Sequence, residues 1–137
     1  MNAVAIELAA LGDTSELLEA WRADAAHRFR VDVDALDEEL PNWERLLERF
    51  AEERAPVYLR PDAEASAVLR RLHGEGVPIG VFTDAPAAVA RVAVAQLGAA
   101  RRIAALEAGA DALDRLVARF GDDTRVVYTR AQLVDLI

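Results

Sequence analysis

The chain contains no cysteine and no lysine. The absence of cysteine excludes disulfides, thiolate metal sites and catalysis by a thiol. All 16 basic residues are therefore arginines, and 24 acidic residues outnumber them, which leaves a formal net charge of -8. Nucleic acids and anionic membrane surfaces attract clustered cations, so this excess of acid argues against both as partners.

Long unbroken apolar segments are also missing. The stretch MNAVAIELAALGDTSE at the start has no positive flank before its short apolar run, which is unlike a signal peptide and too short for a membrane span. We therefore expect a cytoplasmic protein. Its 137 residues, 53% of them hydrophobic, suffice for a single domain with a core but not for two domains of ordinary size.

Strand-like and helix-like segments alternate along the chain, which predicts an α/β fold with three layers, a parallel sheet between helices. The predicted strands are Ala3–Leu8, the VPIGVFT segment from Val77, Arg102–Ala105 and Arg125–Thr129. Two helices are predicted after the first strand, and Asp62 caps a third helix before the second strand. The remaining predicted helices are one with Pro86 in its first turn, a long one from Leu106 to Phe120, and Ala131–Ile137.

One predicted strand ends in a way that indicates a site. In VPIGVFTDAP, a run of β-branched and aromatic residues stops at Thr83 and Asp84, just before Pro86. A buried strand that brings a hydroxyl and a helix N-terminus to one point has the layout of an anion site in a parallel sheet. In the structural alternative, Thr83 only caps the next helix.

Other prominent residues have simpler interpretations. The acidic run Asp32–Glu39 lacks the central glycine of a calcium loop and its spacing to a closing glutamate, so we interpret it as a solvated loop or helix face. His27 and His73 are predicted to be surface or helix-end residues. Trp21 and Trp43 recur with leucines at helical spacing, which predicts core positions.

Three segments together resemble the haloacid dehalogenase (HAD) superfamily. Residues 59–98, LRPDAEASAVLRRLHGEGVPIGVFTDAPAAVARVAVAQLG, look like its middle, where a Pro-led helix runs into a strand ending in Thr or Ser. AVAIELAALGDT stands where the family has hydrophobic residues followed by DxDGT. RVVYTRAQLVDL stands where it has a strand, Gly-Asp-Ser and a second Asp. The resemblance covers essentially the whole chain.

This resemblance implies the domain organisation. Residues 1–137 would form one HAD-like domain. Its Rossmann-like core would comprise residues 1–14 and 59–137 and would be truncated at the C-terminus, since family members usually continue through another strand and helix. Residues 15–58 would form a small helical cap insert.

The catalytic positions that the resemblance implies are largely substituted. Glu7 stands at the position of the nucleophilic Asp, and Ala9 at that of the general acid/base Asp. Arg130 replaces the Asp of the Gly-Asp pair in the last motif, where only the second acid survives, as Asp135. The lysine of the third motif has only Arg101 or Arg102 as a surrogate.

These substitutions predict a loss of catalysis. HAD-type phosphoryl transfer needs an in-line carboxylate, a second carboxylic acid and Mg²⁺ held by carboxylates. Ala9 cannot move a proton, and Arg130 places a permanent cation where a ligand for a cation belongs. We expect a pseudo-hydrolase, a catalytically degenerate HAD-like binding or assembly module without metal or cofactor. In the alternative, Glu7 and Asp135 hold Mg²⁺ in an active hydrolase, either a phosphatase or a haloacid dehalogenase-like enzyme.

The resemblance also implies a ligand and an ion pair. A small anionic ligand is expected at Thr83, Asp84 and Arg130. Arg130 is expected to form an ion pair with Glu7, because the two strand ends are adjacent in the family fold and a lone buried carboxylate is costly.

The last predicted strand indicates how the chain assembles. Arg125–Thr129 is expected at the edge of the sheet, where unpaired backbone groups need a cover. The helix Ala131–Ile137 looks too apolar for a free terminus. We therefore expect a homodimer that buries this end.

Overall fold

The computed structural model describes residues 2–32, 35 and 39–137. The strands are β1 (Val4–Glu7), β2 (Ile79–Thr83), β3 (Ala105–Ala108) and β4 (Arg125–Val127). The helices are α1 (Ser15–Phe29), α2 (Trp43–Tyr58), α3 (Ala63–Gly74), α4 (Ala87–Gln96), α5 (Ala112–Phe120) and α6 (Arg130–Val134). A 3-10 turn, Leu8–Ala10, follows β1. Most of the acidic run Asp32–Glu39 lies outside the described residues.

The four strands form a parallel sheet in the order β3-β2-β1-β4. This confirms the predicted α/β, Rossmann-like fold, with β4 at one edge of the described sheet. Because the strands are parallel, Glu7, Thr83, Ala108 and Val127 all stand where a strand ends. We call that end of the sheet the site edge, and the end where the strands begin the opposite edge.

Alternate residues of the strands contact two separate groups of helices. Ile6 of β1 and Val81 of β2 belong to a large buried cluster with residues of α1, α2, α3 and α4. Ala5 and Phe82, one residue away, belong to a smaller cluster with Leu116 of α5. Among the described helices, α5 alone supplies buried residues to that second cluster.

The predicted insert shares the larger hydrophobic cluster. Leu17 of α1 and Leu47 of α2 are buried in it together with Val89 of α4. Helix α2 packs directly against α4. Trp21 is buried as predicted, and its ring contacts that of Phe50 at a centroid distance of 5.6 Å.

The third strand differs from its prediction. It spans Ala105–Ala108 rather than Arg102–Ala105, and the following helix begins at Ala112, so the long helix predicted from Leu106 is wrong. Between them, Gly109 and Asp111 have positive φ values of 87° and 60°, which end the strand. Apolar residues of the strand and of the helix happen to follow one another at helical spacing.

Acidic side chains accept hydrogen bonds at the starts of two helices. The Asp62 side chain accepts a hydrogen bond of 2.9 Å from the Ala65 N–H, which confirms it as the cap of α3. At α1, the Asp13 carboxylate accepts one from the Ser15 N–H. No helix in the described part of the chain is both long and apolar enough to cross a lipid bilayer.

Candidate functional site

A cavity of about 450 Å³ opens at the site edge, between the ends of β1 and β2 and the loop that follows β3. Its ionisable lining residues are all acidic, namely Glu7, Asp84, Asp111 and Asp114. We call it the acidic cavity. The concentration of negative charge disfavours an anion there.

Glu7 has the most perturbed environment in the acidic cavity. Burial is the main cause that raises the pKa of its carboxyl above 4.5, and the nearby negative charges of Asp84 and Asp13 raise the pKa further. The backbone N–H of Ala9 donates a hydrogen bond to this carboxylate, which opposes the shift without cancelling it. Glu7 therefore retains its proton to a higher pH than an exposed glutamate.

The raised pKa of Glu7 predicts how stability depends on pH. The folded state holds this proton more tightly than the unfolded state, so stability falls as the pH rises from 4.5 through the folded pKa. Glu7→Gln cannot ionise and is expected to match the wild type below pH 4.5 and to exceed it increasingly above that value. Urea denaturation over a pH series measures this, with exposed Glu52→Gln as the control. Parallel curves for the wild type and Glu7→Gln would contradict the prediction.

Thr83 is buried, with 4% of its surface exposed, and its hydroxyl already has a structural partner. Its Oγ1 atom accepts a hydrogen bond of 3.1 Å from the Ala85 N–H. The hydroxyl therefore stabilises the turn between β2 and α4, but it does not cap α4, whose N-cap residue is Pro86. Thr83 and Asp84 both line the acidic cavity.

Arg130 lines a different cavity at the site edge, of about 560 Å³. This second cavity, which we call the arginine cavity, is also lined by Ala9, Asp13, Tyr58 and Arg60. The Arg60 side chain is exposed and makes no ion pair or hydrogen bond with any residue that the structure describes. The sequence-predicted anion-binding residues are thus divided between two cavities.

The guanidinium of Arg130 joins three parts of the chain. Its Nε donates to the carbonyl of Ala10 at 3.2 Å, and its Nη2 donates to the carbonyl of Leu11 at 3.1 Å. Its Nη1 lies 3.5 Å from a carboxylate oxygen of Asp62. Arg130 thereby connects the start of α6 to the segment after β1 and to the cap of α3.

The predicted ion pair between Arg130 and Glu7 is wrong. The strand ends are adjacent, as expected, but the Arg130 side chain extends to the carbonyls at the end of the 3-10 turn, and its carboxylate partner is Asp62. Glu7 instead lies in the acidic cavity among other carboxylates.

The remaining catalytic candidates lie apart from Glu7. Asp135 follows the last turn of α6, is exposed, and does not line the acidic cavity. Arg101 and Arg102 precede β3, so they lie at the opposite edge and cannot replace the lysine of the third motif. That prediction is wrong.

The residues present do not fit the Mg²⁺ ion that the HAD resemblance implies. Over residues 2–32, 35 and 39–137, no three His, Asp or Glu side chains converge in a way that could hold a metal ion. The fixed charge of Arg130 near the end of β1 would also repel a cation.

Sequence reasoning missed the loop after β3. Arg115 of α5 pairs with Glu107 at 3.1 Å and donates hydrogen bonds to the carbonyls of Ala108 and Ala110. It thereby fixes the loop that carries Asp111 to the wall of the acidic cavity. The signal in the sequence is the pair of turn residues Gly109 and Asp111, which lie inside the helix predicted from Leu106 to Phe120.

Comparison with protein-family models gives no match, and comparison with curated proteins gives none either. The fold is similar to a crystal structure from Thermotoga maritima, assigned as a β-phosphoglucomutase, with a TM-score of 0.61 and 17% identity. The match covers 92% of this chain and 75% of that chain. Because β-phosphoglucomutase is a member of the HAD superfamily, the chain has a HAD-like fold, which confirms the fold that the sequence predicts.

Proposed function

We propose that this chain with a HAD-like fold is a pseudo-hydrolase, which binds a small anionic ligand without transforming it. The position of Arg130 carries the proposal: its guanidinium is fixed to the carbonyls of Ala10 and Leu11, beside Ala9 in the arginine cavity. An arginine retains its charge at every physiological pH, so this position attracts an anion and repels a metal ion.

The separation of charges at the site edge supports binding without turnover. Phosphoryl transfer needs the nucleophile and the positive charge at the same reacting group. Glu7 lines the acidic cavity, whereas Arg130 lines the arginine cavity. Ala9, at the position of the acid/base, has no proton to give.

We assign the anion to the arginine cavity. Of the three residues that the sequence indicated, Arg130 is the cationic one, whereas Thr83 and Asp84 line the acidic cavity. Arg60 adds a second guanidinium, and arginine side chains bind phosphate and carboxylate groups through paired N–H donors. A cytoplasmic location belongs to the same proposal.

A combined activity and binding experiment tests this function. With Mg²⁺ present, we expect no release of phosphate from an aryl phosphate and no dehalogenation of a haloacid, and no change in melting temperature on adding Mg²⁺. Inorganic phosphate is expected to raise the melting temperature of the wild type, and less that of Arg60→Ala. Turnover that disappears in both Glu7→Ala and Asp135→Ala would establish the alternative, an active Mg²⁺-dependent hydrolase.

The proposal also includes a homodimer, in which two copies of the chain associate through β4. This strand pairs with β1 on one side, and its other side bears no described strand. Tyr128 just after it and Ile137 beyond α6 are 52% and 51% exposed. An apolar, unpaired edge of this kind favours association with a second copy.

Sedimentation velocity over a concentration series tests the dimer. We expect a dimer that Tyr128→Asp dissociates, because a charge at the edge of a sheet opposes pairing with another strand. Val57→Asp is the matched control, since Val57 is 67% exposed but lies on α2, and it is expected to leave the dimer intact. A wild type that remains monomeric at high concentration contradicts this part of the proposal.

A further inference from the structure

A third cavity, of about 640 Å³, lies at the opposite edge of the sheet, where α3 and α4 end and the chain turns into β2 and β3. It is lined by His73, Ala95, Gly98, Ala100, Arg101 and Arg102. We call it the basic cavity. Nothing in the proposed function involves this part of the molecule.

The basic cavity differs in charge from the other two. Its ionisable lining residues are His73, Arg101 and Arg102, whereas carboxylates line both cavities at the site edge. Arg101 is exposed and forms no ion pair or hydrogen bond within the described part of the chain. Within the same part of the chain, the Arg102 side chain makes only a long contact, 3.4 Å from its Nη1 to the carbonyl of Gly98. In a chain of net charge -8, two arginines that pair with no carboxylate among the described residues thus line one cavity.

The turn that carries the two arginines is well defined. The N–H groups of Ala99 and Ala100 both donate to the carbonyl of Val94, at 2.9 and 3.2 Å, and the Arg102 N–H donates to the carbonyl of Ala99 at 2.9 Å. Ala99 is fully buried. The turn requires a φ of 73° at Gly98, and glycine adopts this value easily whereas other residues rarely do. Binding of a ligand therefore does not require the backbone of this turn to lose conformational entropy.

The backbone carbonyls at the ends of α3 and α4 do not compete strongly with a ligand for the guanidinium groups of Arg101 and Arg102. At the end of α4, the carbonyl of Ala95 already accepts a hydrogen bond from the Gly98 N–H, and at the end of α3 that of His73 accepts one from Gly76. Cations near these ends also stabilise the helices through the helix dipole. That purely structural role predicts a loss of stability, but no loss of binding, when the arginines are removed.

We propose that the basic cavity binds a small molecule that bears a diphosphate group. The guanidinium groups of two arginines that line the cavity provide paired N–H donors for phosphate oxygens, and His73 lines the same cavity. The volume lies within the range of small-molecule sites. The small side chains of Ala95 and Ala100 leave the space open to such a group.

Calorimetric titration with inorganic pyrophosphate tests the proposal. The wild type is expected to bind it saturably, and Arg101→Ala/Arg102→Ala is expected to weaken binding by about tenfold or more. The matched control is Arg22→Ala/Arg45→Ala, which removes the same charge from exposed positions outside all three cavities and is expected to change affinity by no more than about twofold. Arg60→Ala is expected to retain binding at the basic cavity.

Amide chemical shifts of the wild type locate the ligand without any substitution. Pyrophosphate is expected to shift the resonances of Gly98 and Ala100. Shifts confined to Arg60 and its neighbours would assign the binding to the arginine cavity and overturn the proposal. No saturable binding, an equal loss in the control variant, or a less stable Arg101→Ala/Arg102→Ala with unchanged affinity would also overturn it.

Discussion

Arg130→Ala is expected to lower the free energy of unfolding by about 1.5–3 kcal/mol, the range for hydrogen bonds made by a charged donor. The substitution removes the donors of the Ala10 and Leu11 carbonyls, which belong to two buried residues at the end of the 3-10 turn. It also removes the partner of Asp62, but that ion pair is partly exposed and contributes less. Urea denaturation monitored by tryptophan fluorescence measures the change.

Two variants separate the contacts of Arg130. Asp62→Asn preserves a good helix cap and removes only the ion pair, so it is expected to cost less than about 1 kcal/mol. Arg60→Ala removes an exposed arginine from the same cavity and is expected to change stability by less than about 0.5 kcal/mol. If Arg130→Ala is no less stable than Arg60→Ala, the two backbone hydrogen bonds do not stabilise the fold.

Gly80→Val is expected to destabilise the protein by about 1–3 kcal/mol through overpacking. Gly80 lies in β2 beneath α5, and a Cβ atom there would come within 2.6 Å of Phe120 and 2.9 Å of Leu116. Leu116 is fully buried and has little room to move. A larger residue would therefore force the side chains of Phe120 and Leu116 to shift where α5 covers this face of the sheet, which a thermal or urea unfolding curve would register.

Gly74→Ala is the control for Gly80→Val. Gly74 is the last residue of α3, and a Cβ atom there would meet nothing within 4 Å. Alanine also has the higher helix propensity, so this variant is expected to be as stable as the wild type or slightly more stable. Equal losses in both variants would mean that the close packing of α5 on Gly80 is not the cause.

The sheet could be predicted because its strands carry local signals. The segments around Val4–Glu7 and Ile79–Thr83 are short apolar runs bounded by turn residues, and a parallel sheet follows once helices separate them. Strand β3 has only four residues, and its Leu106 continues the apolar spacing of α5. Periodicity alone cannot separate two such elements when the turn between them is brief.

The sequence predicts which strand ends are neighbours, but not the contacts made there. The order of the sheet brings the ends of β1, β2 and β4 to one edge, which places Glu7 and Thr83 together there. The sequence does not predict the partner of Arg130, because a side chain of this length can reach several carboxylates and backbone carbonyls from the same position. The choice depends on where the carbonyls of Ala10 and Leu11 point, which only the folded turn defines.

The packing of α2 against α4 has a consequence for cooperativity. Residues of the predicted insert and of the sheet are buried in one hydrophobic cluster, so neither part can lose its structure without exposing apolar surface of the other. The chain should therefore unfold in a single transition, with equal calorimetric and van't Hoff enthalpies. Backbone amides in α2 and in β1 should likewise exchange with solvent through the same global opening.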